Sequence, residues 1–238
     1  MSNRTKQRSR AAAAHKVLEQ RRAAERRRRT LFTSALVAAL LLLAGIIGYG
    51  VYQSQRPDDV APPAGAVDGG TGLAVGDGPV KVDLYLDFLC PACRKYEEQA
   101  GPVLQDYVDE GRITLVYHPL NFLDRLSSTD YSTRSAAAAA SAADAGKLTE
   151  YVTALYQRQP PENGAGLSDD ELISIGREVG ITAPTFEADV ESDRYHQWVE
   201  FVTAKADERG VRGTPTVYVN GKQVDNTVKA LTAAVDAA

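Results

Sequence analysis

The sequence predicts an α/β domain with an inserted run of helices, preceded by one transmembrane helix. Three observations carry this. Residues 31–52 contain no charged side chain. An alternating stretch from Val80 to Phe88 leads directly into a helix that opens with Cys90-Pro91-Ala92-Cys93. A second apolar strand follows that helix, and a third lies near the C-terminus beyond a long helical stretch.

The chain has 238 residues and a formal charge of −4, which conceals an asymmetry. Residues 1–30 carry 11 Lys/Arg against 2 Asp/Glu, and residues 53–238 carry 16 against 29. The basic tail is rich in Ala and Arg, with helical character. No aromatic residue interleaves its arginines, so nothing there favours stacking on bases. It reads as a topology determinant in contact with anionic membrane lipid, each basic residue near the surface contributing about 1 kcal/mol. The acidic excess of the outer part is solvated surface and argues against nucleic acid as a partner.

The segment LFTSALVAALLLLAGIIGYGVY, residues 31–52, rises roughly 33 Å as a helix, enough for a hydrocarbon core of about 30 Å. Its only polar residues near the start are Thr33 and Ser34, so it lacks the polar face of a soluble helix. Tyr49 and Tyr52 end it, where aromatic rings favour the interface. The following QSQRPDD offers no small-x-small cleavage site, so the segment is read as an uncleaved signal-anchor. The positive-inside rule then places the N-terminus in the cytoplasm and the rest outside a cell membrane crossed once. Residues 53–78, rich in Pro, Gly, Ala and Asp, read as a flexible tether.

The folded part is expected over residues 79–238. In its first strand Val80, Val82, Leu84, Leu86 and Phe88 share one face, with Lys81, Asp83, Tyr85 and Asp87 on the other. The helix after it carries Pro91 at an early position, where a missing N–H costs little. Gly101-Pro102 is expected to kink it and Gly111 to end it. Residues 112–120 form a second strand, giving a parallel strand–helix–strand unit. Two helices broken near Ala145-Gly146 follow, and Ser168 with Glu171 marks a further helix start. Tyr195, Trp198 and Phe201 lie at helical spacing as core, and Ala136 to Ala140 form a packed face. The last strand ends in an Asn220-Gly221 turn, with a short edge strand and a C-terminal helix beyond.

Cys90 and Cys93 are the only cysteines. A zinc site usually needs four ligands, and no second Cys pair or paired histidines exist, so no metal is expected. A staple this short gains little loop-closure entropy. At i and i+3 on one helix start, the two sulfurs share a face. The helix N-terminus stabilises a thiolate, which makes Cys90 the expected nucleophile and Cys93 the resolving thiol. His118, before Pro119, reads as strand-end geometry. Asp87 is either a proton acceptor near Cys93, through water, or a solvated strand-end carboxylate.

A Cys-x-x-Cys between strand and helix beside a βαβ pattern is a redox signature. With Phe88-Leu89-Cys90-Pro91-Ala92-Cys93 and with Thr214-Pro215 ahead of an apolar strand, residues 79–238 resemble the thioredoxin superfamily in its DsbA-like branch. The resemblance implies a thioredoxin-like fold, with residues 127–209 as an inserted helical domain. It implies a cis peptide at Pro215 beside the cysteines, with Thr214 pairing to an extended substrate. Pro91-Ala92 stands where the best-known members carry Pro-His, a histidine that helps the thiolate. The buried acid that thioredoxins place six residues before the first cysteine is here Leu84.

The expected function is a membrane-anchored, extracytoplasmic thiol–disulfide oxidoreductase that donates the Cys90–Cys93 disulfide to unfolded or exported polypeptides and needs no other cofactor. The resemblance implies a membrane redox partner of the DsbB or vitamin K epoxide reductase-like type. Two alternatives stand beside it: a disulfide reductase or isomerase of the same fold, and a non-catalytic binding module whose cysteines are a staple. Compartment favours donation, because disulfides persist outside the cytoplasm.

Overall fold

The structure, a computed structural model, describes residues 60–238 together with residues 42 and 45. Among the described residues no helix is long and apolar enough to cross a membrane. The basic tail and, those two helical positions apart, the expected anchor lie outside them.

Five strands form one mixed sheet: β1 (Leu73–Val75), β2 (Val80–Leu86), β3 (Ile113–Pro119), β4 (Thr216–Val219) and β5 (Lys222–Val224). Their order is β1-β3-β2-β4-β5. Only β2 and β3 run parallel, with Leu84 opposite Tyr117, and they are joined by α1 (Pro91–Asp109). The other pairs are antiparallel. Asn220 and Gly221 both take positive φ between β4 and β5, as a tight two-residue hairpin turn requires.

The expected tether is partly overturned. Residues 73–75 form β1 on the edge of β3, and Leu73 is 2 % exposed. A three-residue strand is too short to show periodicity, and its pairing is made by backbone groups that composition does not reveal. Trp198 Nε1 also donates to Gly70 O at 2.6 Å, tying the preceding turn to the domain.

Helix α1 buries Cys93, Tyr96, Glu97, Ala100 and Leu104 at helical spacing and continues through Pro102. It ends as Gly111 takes φ +64° and Arg112 N–H bonds Tyr107 O, a Schellman closure. Five helices separate β3 from β4: α2 (Tyr131–Asp144), α3 (Leu148–Gln157), α4 (Asp169–Glu178), α5 (Pro184–Glu191) and α6 (His196–Glu208). Ser168 caps α4 through its bond from Glu171 N–H, with the reciprocal bond present. Tyr195 and Trp198 are core, each 1 % exposed. The closing helix α7 (Val228–Asp236) is capped by Thr227.

The polar side of β2 is not solvated. Asp83, Tyr85 and Asp87 are all buried, because helices cover both faces of the sheet. Alternation in a two-layered sheet marks a solvent face, whereas here both faces are inside and the polar residues must find partners.

Candidate functional site

The strand β2 ends at Leu86, and the chain turns through Asp87 to Cys90, closed by Cys90 N–H donating to Asp87 O at 3.1 Å. Cys90 is the N-cap of α1, extended at φ −76° and ψ 116°, and Pro91 follows as the first helical residue. No side chain caps this terminus, so the first-turn N–H groups remain available to the sulfur. Both cysteines are free thiols. Cys90 is 7 % exposed, less open than a first-turn residue leads one to expect, and Cys93 is 2 % exposed.

The Thr214-Pro215 peptide is cis, as expected. Cys90 Sγ lies 3.4 Å from Thr214 O, so β4's leading loop and the start of α1 meet at this sulfur. Phe88 is fully buried against the Tyr156 ring.

Charge divides the two thiols. The Cys90 thiol is drawn down from 9.0 to about 6, chiefly by the hydrogen bond from the Cys93 thiol. Burial opposes this, and Thr214 with the N–H groups of Cys93 and Ala92 reinforces it. Ala92 thus contributes through its backbone where its side chain cannot. Burial pushes the Cys93 thiol well up, and its bond to Cys90 adds to that. Such a pair holds one ready thiolate and one reserved thiol.

Asp87 is fully buried rather than solvated. Its Oδ1 accepts from Leu89 N at 2.9 Å and Ser132 Oγ at 2.7 Å, and its Oδ2 accepts from Leu123 N at 2.9 Å. Burial, with a smaller contribution from the nearby Cys90 charge, lifts its carboxyl to about 6 against these three donors. The Asp87 carbonyl accepts from Tyr156 Oη at 3.2 Å. Gln159 Nε2 donates to Phe88 O at 2.8 Å and to Cys90 O at 3.0 Å.

Ser132, Tyr156 and Gln159 come from the helical insertion and were not expected at the site. A serine inside an alanine-rich packed face is a polar group needing a buried acceptor, a usable signal for Ser132. Nothing in the spacing marks Gln159.

His118 does not face the cysteines. Its Nε2 lies 3.1 Å from Asp83 Oδ1 and its Nδ1 lies 2.9 Å from Thr71 O, while its ring stacks on Tyr85. Asp68, Asp83 and His118 bring ligand atoms together, but Lys81 Nζ sits 2.5 Å from Asp68 and 2.9 Å from Asp83. The ammonium already supplies the positive charge those carboxylates ask for.

A thioredoxin-type sheet with a dithiol at a helix start, facing a cis-proline loop, defines a thiol–disulfide oxidoreductase. The chain belongs to the thioredoxin family, whose model matches residues 70–237. Within it the protein is DsbA-like. The oxidised DsbA of Mycobacterium tuberculosis is 32 % identical with TM-score 0.62, over 70 % of this chain and 91 % of that one. Reduced DsbG from the same organism is also 32 % identical, with TM-score 0.64 over 72 % and 88 %. The probable disulfide bond formation protein D of Bacillus cereus is 28 % identical over 167 residues, which are 69 % of this chain and 76 % of that protein.

Proposed function

We propose that this oxidoreductase is held on the outer side of a cell membrane by residues 31–52 and donates the Cys90–Cys93 disulfide to exported, unfolded polypeptides. The observation that carries the direction is the unequal pair. A thiolate stabilised at Cys90 favours the dithiol over the disulfide, which makes the disulfide form an oxidant.

The exchange runs in two displacements. A substrate thiolate attacks Cys90 Sγ of the disulfide, a substrate–Cys90 bond forms, and Cys93 leaves and takes up a proton. A second substrate thiolate attacks the substrate sulfur of that mixed disulfide, and Cys90 leaves as the thiolate that the helix start stabilises. The substrate loses two electrons and two protons, and the cysteine pair gains the electrons. In this reading the Thr214 backbone, beside Cys90, pairs with the extended substrate. A membrane partner of the DsbB or vitamin K epoxide reductase-like type returns the pair to the disulfide, with no further cofactor. The basic tail lies on the cytoplasmic side against lipid.

The deciding measurement is the reduction potential of the pair in the purified full chain, equilibrated with glutathione. A value towards the oxidising end, near −120 mV, supports donation, and one near −270 mV assigns the reductase reading instead. Protease added outside intact cells should remove residues 53–238 and spare the tail. Protection of that part overturns the topology.

A further inference from the structure

The side-chain amide of Gln159 spends both of its N–H donors on the nucleophile's turn. One goes to Phe88 O at 2.8 Å and the other to Cys90 O at 3.0 Å. Both partners are carbonyl oxygens, which only accept, so the amide nitrogen and not its oxygen must face them. The two carbonyls flank Leu89, and Phe88 and Leu89 are buried. Cys90 O also receives the N–H of Arg94 at 3.2 Å, the first bond of α1. Gln159 therefore joins the helix start at the same atom that begins its hydrogen-bond ladder.

Gln159 is held in turn. It follows the C-terminus of α3, its own N–H bonds Tyr156 O at 3.3 Å, and Pro160 restricts its backbone to extended conformations. Tyr156 and Ser132, from the same insertion, hold Asp87 at the other end of the turn. Of these three side chains, Gln159 is the one that bonds the cysteine residue itself.

We propose that Gln159 is a positioning residue for the Cys90 nucleophile, its amide clamping the turn that aims Cys90 Sγ at the start of α1. Two effects follow. The clamp fixes the extended Cys90 backbone from which the sulfur meets the N–H groups of Ala92 and Cys93. It also gives Phe88 O a donor and Cys90 O a second donor beside the Arg94 N–H, offsetting the negative ends of two carbonyl dipoles in the nucleophile's turn. With Ala92 unable to donate from its side chain, the inserted domain contributes a donor near the nucleophile that the intervening pair lacks.

The proposal rests on Cys90 as the attacking thiol, and its test separates the two ideas. Thiolate absorbance at 240 nm is followed against pH in the reduced full chain and in Gln159→Met, which keeps bulk but has no donor. The expected result is a Cys90 midpoint about one pH unit higher in Q159M. The glutathione equilibrium should move about tenfold towards the Cys90–Cys93 disulfide, roughly 30 mV for this two-electron couple. The control Arg158→Ala, which removes only an exposed ion pair with Glu178, should leave both unchanged. A folded Q159M whose midpoint and equilibrium match wild type within twofold overturns the positioning role. A wild-type chain with no depressed thiol overturns the nucleophile assignment instead. Should Q159M not fold, the wild-type protein decides: the Gln159 side-chain amide resonances should shift as Cys90 titrates. An amide indifferent to that titration overturns the proposal.

Discussion

Cys90 Sγ and Thr214 O stand 3.4 Å apart, although 124 residues separate them in the chain. The contact joins the two ends of the fold at one atom pair. The β2–α1 turn delivers the sulfur, and the loop before β4 delivers a backbone carbonyl. Under the proposed function, a substrate strand pairing with Thr214 would lie beside Cys90 Sγ.

This arrangement predicts different fates for the two cysteines. Cys93→Ser removes the resolving thiol, so partner polypeptides should accumulate as mixed disulfides on Cys90. They should appear as higher bands on non-reducing gels and collapse with dithiothreitol. Cys90→Ser should trap nothing, because the remaining Cys93 is 2 % exposed and its thiol is held protonated by burial. Equal trapping by the two variants contradicts the assignment, and no trapping by C93S favours the binding-module alternative.

The depressed Cys90 thiol makes the reduced form's stability depend on pH in a stated window. The folded value is about 6 against 9.0 for the ordinary thiol. A lowered acid contributes stability above the unfolded value and loses it as pH falls through the folded one. The melting temperature of the reduced protein should therefore gain on that of the oxidised protein between about pH 6 and 9. Above that range Cys93, raised by burial, works in the opposite sense. Asp87 is present in both redox forms, so comparing them largely cancels its own titration. Melting curves of the two forms across this range check the prediction, and a constant difference would contradict it.

Asp87 is a fastener of the turn as well as a charge near the sulfur, and the two roles separate in Asp87→Asn. The amide keeps the shape and one acceptor oxygen, but its NH2 group must face either the Leu123 N–H or the Leu89 N–H and Ser132 hydroxyl. Loss of a buried acceptor should cost about 1–3 kcal/mol of stability. The negative charge disappears, so the Cys90 thiolate midpoint should fall rather than rise, provided the turn keeps its form. Denaturant melts and the absorbance titration measure both. A D87N protein of wild-type stability would show that the carboxylate bonds are dispensable.

The fold and the cysteines were legible because their signals are local. Alternation from Val80 to Leu86, the capping pair Ser168 and Glu171, and the Asn220-Gly221 turn each act within a few residues, and each appears in the structure. Pro215 was reached through family resemblance alone. What the sequence hid is non-local. β1 exists only because β3 offers an edge. Asp83 and Asp87 sit on the polar side of an alternating strand, and only the packing of helices over both faces makes them buried. Gln159 reaches Cys90 across 69 positions of chain, with no spacing to announce it.

The buried polar cluster behind β2 should prove structural, with no part in exchange. Asp83 is 1 % exposed and has Lys81 Nζ at 2.9 Å, His118 Nε2 at 3.1 Å and an Arg209 nitrogen at 3.5 Å. Burial raises its carboxyl, but the bonds and charges of His118 and Lys81 outweigh that and hold it down at about 2, against 3.8 ordinarily. Asp83→Asn leaves these positive and donor groups facing a neutral amide, and should cost about 3 kcal/mol, the range for breaking one side of a buried pair. The sign of the pH dependence follows from the lowered value: the wild-type advantage is complete above about pH 4 and is lost as pH falls towards 2. Melts of wild type and D83N from pH 2 to 6 should converge at the acid end. The Cys90 titration should be the same in both proteins, since Asp83 pairs with Lys81, His118 and Arg209 rather than with the Cys90 turn. A displaced Cys90 midpoint in D83N would mean that the cluster reaches the nucleophile, through Arg209 and the chain leading to Thr214.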